Sequence, residues 1–129
     1  MRSAVKALGE VALRVNDLDG MQRFYEEVVG LEFVRRIGDI AFLRIADGFE
    51  GHTAVLALFR QEGPVAQPGG TLHHLAFTIS RDDFAPEMAR LEGLGLRVTT
   101  MYHDWVSWRS MYVNDPEGNE VELVCYDPA

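Results

Sequence analysis

The sequence predicts an α+β fold built from two βαβββ modules, and two observations carry that expectation. Hydrophobic spacing switches between a period of two and a period of about 3.6 in the order strand, helix, three strands. That order then occurs a second time, about 65 residues further on. A chain of 129 residues, 47% hydrophobic, is long enough to bury one core. The expectation is therefore a single domain over residues 1–129, with module one at about 7–60, a linker at 61–71 and module two at about 72–127.

In EVALRV, Val11, Leu13 and Val15 alternate with Glu10, Ala12 and Arg14, which predicts a half-buried strand with Glu10 and Arg14 on its polar face. NDLDGMQRFYEEVVGL follows, with Met21, Phe24, Tyr25 and Val28 at helical spacing. Asn16, Asp17 or Asp19 can cap its start, and Gly30 can end it. LEFVRRI, DIAFLRIA and GHTAVLALF are three strands, separated by Gly38-Asp39 and by the turn chemistry of Asp47-Gly48 and Glu50-Gly51. Between Gln61 and Thr71, Pro64, Pro68 and three glycines mark a linker. In module two, HHLAFTIS alternates as a strand. Asp83 to Gly93 places Phe84, Met88 and Leu91 on a helix that tolerates Pro86 in its first turn. GLRVTTMY, WRSMYVND and NEVELVCY supply the last three strands. The repeat is legible where GEVALRV lies over HHLAFTI, VGLEFV over LGLRVT, and GHTAVLALF over GNEVELVCY.

Twenty acidic and twelve basic residues give a formal charge of -8, which repels phosphate backbones and anionic lipid, so nucleic acid is not an expected partner. Cys125 is the single cysteine, which excludes an intramolecular disulfide and a thiolate zinc cluster. No stretch approaches the roughly 18 unbroken apolar residues of a membrane helix, and MRSAVKALGE lacks the apolar core of a secretory signal. A cytoplasmic protein without membrane contact is expected.

Three stretches, EVALRVNDLDGMQRFYEEVVGLEF, HHLAF and SMYVNDPEGNEVELV, resemble the vicinal oxygen chelate superfamily of glyoxalases, fosfomycin-resistance proteins, bleomycin-binding proteins and extradiol dioxygenases. The resemblance covers nearly the whole chain and is strongest in DPEGNEVEL. It implies that the two modules' sheets form a barrel-like cup, with a homodimer as the assembly. It also implies metal ligands on the first strand of each module and on the last strand of module two, which fall here on Glu10, His74 and Glu122. Strand parity agrees: Val121, Leu123 and Cys125 occupy one face of the last strand and Glu120, Glu122 and Val124 the other. In HHLAF, His74 falls opposite to His73, Leu75 and Phe77. One imidazole and two carboxylates favour Fe²⁺ or Mn²⁺, with Mg²⁺, Co²⁺, Ni²⁺ and Zn²⁺ as alternatives. Many relatives carry histidine at the position of Glu10.

Tyr112 lies ten residues before Glu122, and His103 nine before Tyr112. The spacing resembles that of extradiol dioxygenases, where the equivalent groups line the substrate side of iron. A hydroxyl and an imidazole there can hydrogen-bond a chelated diolate. Such enzymes usually carry a further histidine shortly before the module-two ligand, and Phe59 to Gly63 offers Arg60 instead. A glyoxalase site adds a carboxylate at the pseudo-repeat position of Glu122, which is Val55 here. A fosfomycin-type transferase needs inward basic residues, of which Arg14 and Arg109 are the candidates. Trp105, Trp108, Met101, Met111 and Phe42 could wall a pocket for an aromatic small molecule. The expected function is a metal-dependent enzyme that chelates its substrate through vicinal oxygens, with ring cleavage ahead of isomerase or lyase chemistry. The rival is a metal-free protein that sequesters a small molecule.

Overall fold

A computed structural model describes residues 3–65 and 69–128. The chain divides into two compact units, Met1–Gln67 and Pro68–Ala129, each carrying one four-stranded sheet. The expected linker at 61–71 holds no helix or strand among its described residues, and Ala66 to Pro68 lie outside them. No helix among the described residues is long and apolar enough to cross a membrane.

In the first unit, β1 (Glu10–Val15), β2 (Glu32–Ile37), β3 (Ile40–Phe49) and β4 (His52–Arg60) stand in the order β1-β4-β3-β2. β2, β3 and β4 form an antiparallel meander, and β4 returns to lie parallel to β1. A parallel pair needs a long connection. It begins here with α1 (Leu18–Arg23), whose start is capped by Asp17 Oδ1 accepting from the Gly20 N–H at 3.0 Å. The single helix expected here changes pitch, because Phe24–Val29 is a π-helical segment. A wider turn advances fewer degrees per residue, so the neighbours Phe24 and Tyr25 both reach the core, meeting edge-on at 5.2 Å. Gly30, at φ 95°, ends the segment as its position suggested. α1 packs on β3 and β4, where Met21 and Tyr25 join Val15, Ala41, Leu43, Leu56 and Leu58 in the buried core.

The turn expected at Asp47-Gly48 is instead part of β3, which bends through register shifts between Arg44 and Phe49. Only Glu50-Gly51 turns the chain, both at positive φ (48° and 82°), as a two-residue hairpin with right-handed strand twist requires. Gly48 sits at φ 77°, and a Cβ there would run into the His52 carbonyl oxygen. Gly48→Ala is therefore expected to cost more than ~1 kcal/mol. The check is a lower urea midpoint at unchanged slope.

The second unit repeats the plan. β5 (His74–Thr78), β6 (Thr99–His103), β7 (Trp108–Asn114) and β8 (Glu120–Tyr126) stand in the order β5-β8-β7-β6, with β5 parallel to β8. A short 3₁₀ turn, Arg81–Asp83, leads into α2 (Phe84–Gly93). β6 begins later than expected, because the chain after α2 closes on it first. Gly95, at φ 86°, and Leu96 donate their N–H groups back to the Glu92 and Leu91 carbonyls. Phe84 and Leu91 of α2, with Leu75, Met111, Val113, Val121, Leu123 and Cys125, are buried. Burial raises the Cys125 thiol pKa, which keeps it protonated and unreactive.

Candidate metal centre

Alternation on β8 sends Val121, Leu123 and Cys125 into the core, and therefore Glu120, Glu122 and Val124 to the other face. The ladders place His74 opposite Glu120, Ala76 and Tyr112 opposite Glu122, and Ser110 opposite Val124. Side chains directly or diagonally across a ladder reach each other, so one face of this sheet gathers His74, Ser110, Tyr112, Glu120 and Glu122.

Their contacts are specific. His74 Nε2 lies 3.1 Å from Glu122 Oε1. On the far oxygen, Oε2, Glu122 accepts from Ser110 Oγ at 2.5 Å and from the Tyr112 hydroxyl at 3.4 Å. His103 Nε2 stands 3.2 Å from that same hydroxyl. The Glu122 side chain is only 8% exposed against 35% for His74, so the carboxylate is fixed within the sheet and the imidazole meets solvent. Two hydroxyls thus hold one carboxylate oxygen and leave the other beside an imidazole nitrogen. Burial raises the Tyr112 pKa above its ordinary value of 10.0, and the Glu122 and Glu120 charges add to that against a hydrogen bond with Ser110. At neutral pH Tyr112 is a hydrogen-bond donor.

The DPEGN segment explains why Glu122 is held so firmly. Asp115 is 4% exposed. Its Oδ1 accepts from the Glu117 and Asn119 N–H groups, both at 2.9 Å, and its Oδ2 accepts from Asn119 Nδ2 at 2.8 Å. The backbone closes with Asp115 N–H to Asn119 O, and Gly118 takes φ 89°. This side-chain cage sets the β7–β8 register, and with it the face on which Glu122 emerges.

Sequence reasoning placed His74, Glu122, Tyr112 and His103, and the second unit brings all four together. It missed Ser110, an uncharged residue whose only signal was sharing Tyr112's strand parity. It also placed His73 on the opposite face from His74, whereas His73 precedes β5 and its Nδ1 lies 2.8 Å from His74 Nδ1. Arg109 is not on the site face. It pairs across the ladders with Tyr102 and Cys125, donates to Asp127 Oδ2 at 2.7 Å and covers the Phe84 ring at 5.9 Å. Met111 likewise belongs to the core. Trp105 and Trp108 are exposed, their rings 6.2 Å apart.

In the first unit, Glu10 is exposed on β1 and pairs with Val55. Its sheet face also carries Ala12, Arg14, Ala57, Phe42, Arg35 and Arg44 by ladder position. Counted from the first strand, Val55 corresponds to Glu120, because His74 faces Glu120, and Ala57 corresponds to Glu122. Both positions are apolar, so the carboxylate that a glyoxalase site adds as a fourth ligand is missing under either alignment.

The donor chemistry fits a hard divalent cation. Among the described residues Glu122 forms no ion pair with lysine or arginine, and a buried carboxylate facing an imidazole nitrogen is stabilised by a proton or a cation between them. Nitrogen and oxygen atoms of His73, His74 and Glu120 also lie within 4.8 Å of one another, a second donor set that shares His74. The two sets differ in that the Glu122 carboxylate is buried and oriented by two hydroxyls.

The model of the Glyoxalase/Bleomycin resistance protein/Dioxygenase superfamily matches residues 7–123. The chain is 32% identical over 119 residues to the glutathione transferase FosA of Serratia marcescens, covering 92% of this chain and 80% of the relative. Among solved structures, a lactoylglutathione lyase from Agrobacterium tumefaciens matches with TM-score 0.69 and 27% identity, over 95% of this chain and 96% of that one. An integron cassette protein from the Halifax Harbour sewage outfall matches with TM-score 0.75 and 25% identity, over 94% and 99%.

Proposed function

Because the chain belongs to the glyoxalase/bleomycin resistance/dioxygenase superfamily, we propose that it is a divalent-metal-dependent enzyme whose substrate binds through two neighbouring oxygens. His74 and Glu122 of the second unit are ligands. The observation that carries this reading is the continuous set of contacts from His74 to Glu122, Tyr112 and His103. The ion supplies Lewis acidity at a chelated oxygen. Tyr112, kept protonated by its surroundings, would turn its single O–H from Glu122 Oε2, 3.4 Å away, to a substrate oxygen that gains negative charge, with His103 Nε2, 3.2 Å from the phenol oxygen, orienting it. A tyrosine and an imidazole so placed suit a planar diolate, which makes extradiol-type ring cleavage of a catechol the leading reaction.

A second reading is thiol transfer. It is favoured by the identity with FosA and by Arg14, Arg35 and Arg44 on the Glu10 face, which suit an anionic substrate. Oxygen uptake with catechols separates the first reading from consumption of glutathione thiol, which marks the second.

The deciding experiment is elemental analysis of protein purified anaerobically without chelator or affinity metal. About one equivalent of iron or manganese per chain, lost in His74→Ala, is the expected result. No metal in either protein, even after reconstitution with each candidate ion, would overturn the enzyme reading in favour of small-molecule sequestration.

A further inference from the structure

We propose that His73 is the positioning residue of the metal centre: its Nδ1 accepts the Nδ1–H of His74 and so leaves His74 Nε2 free to bind the ion. The inference rests on the reading of His74 as a ligand and adds a group to which no role has been given. Two ring nitrogens 2.8 Å apart hold one proton between them, so one is donor and the other acceptor. The rings meet edge to face, at 77° with centroids 5.0 Å apart, so the two nitrogens meet without parallel overlap of the rings.

His74 presents its second nitrogen, Nε2, to Glu122 Oε1 at 3.1 Å. A neutral imidazole carries one N–H. For Nε2 to bind an ion that proton must sit on Nδ1, where His73 Nδ1 is the acceptor within reach. A histidine ligand commonly donates its other N–H to an outer partner, which fixes both tautomer and ring orientation. Here the partner is the preceding residue, which is free to turn its ring back because the regular strand begins only at His74. The Glu120 carboxylate, opposite His74 on β8 and within 4.8 Å of donor nitrogens on both rings, places negative charge beside the shared proton.

The competing arrangement is direct ligation by His73, His74 and Glu120. Three variants separate the two. His73→Ala removes the acceptor, and His73→Asn restores one, since its Oδ1 falls near the Nδ1 position. Glu120→Gln removes a ligand only in the competing arrangement. Both positions lie outside the buried core, so equal urea midpoints confirm that the variants fold.

Mn²⁺ affinity, read by calorimetric titration, is expected to fall about 10–100-fold in His73→Ala. It should recover most of that in His73→Asn and stay near wild type in Glu120→Gln. In the zinc-loaded protein, imidazole ¹⁵N shifts should report His74 protonated at Nδ1. Unchanged affinity in His73→Ala overturns the proposal while leaving His74 and Glu122 as ligands. Equal losses in His73→Ala, His73→Asn and Glu120→Gln overturn it in favour of direct ligation. A wild type that binds no divalent ion removes the underlying reading as well.

Discussion

Glu122→Gln is expected to lower divalent-ion affinity by more than about 100-fold, since losing an outer partner alone costs about 10–100-fold. The geometry makes this substitution more severe than the loss of a charge. Ser110 and Tyr112 both donate to Oε2, so a glutamine will place its carbonyl oxygen under those two donors. Its NH₂ group then takes the place of Oε1, beside His74 Nε2, and presents hydrogens where the ion needs a lone pair. The fold should not suffer, because an amide of the same shape replaces a buried charge that has no lysine or arginine partner among the described residues. Titration with Mn²⁺ alongside a thermal melt reads both effects. Wild-type affinity in the variant would show that Glu122 is no ligand.

Asp115→Ala is expected to destabilise the protein by about 2–4 kcal/mol. Asp115 is buried, and the change strips acceptors from two backbone N–H groups and one amide at once. Asp115→Asn should lose less, because its carbonyl oxygen can still take both backbone donors, while the Asn119 side-chain contact at Oδ2 is forfeited. Urea unfolding of the two variants ranks them. Equal stability of Asp115→Ala and wild type would mean that the turn holds its register without the carboxylate.

Much of this arrangement was legible in the sequence because strand alternation is a local rule. EVELV fixes which face Glu122 takes, and HLAFT does the same for His74. The helix ends were legible for the same reason, since Asp17 and Gly30 act on their own neighbours. What escaped depends on three-dimensional surroundings. The π-helical segment follows from two adjacent aromatics competing for the same core. Gly48 looks like a turn residue, yet it is needed because the His52 backbone passes close by. Arg109 is a different case, since alternation from Tyr112 already puts it on the far face, where Asp127 and Phe84 meet it. Ser110 carries no charge to mark it, and its role exists only because Glu122 is across the ladder and one step along.

The parallel pairing of β5 with β8 also orders events in time. β6, β7 and β8 are hairpin neighbours that can zip together from short loops, whereas β5 must find β8 across the whole length of its unit. His74 arrives with β5 and Glu122 with β8, so the two donors meet only when the slowest closure in the unit is complete. A refolding chain will hold most of its sheet before it can capture an ion. If His74 and Glu122 hold an ion as proposed, it would join β5 to β8 and so act as a latch on the unfolding rate.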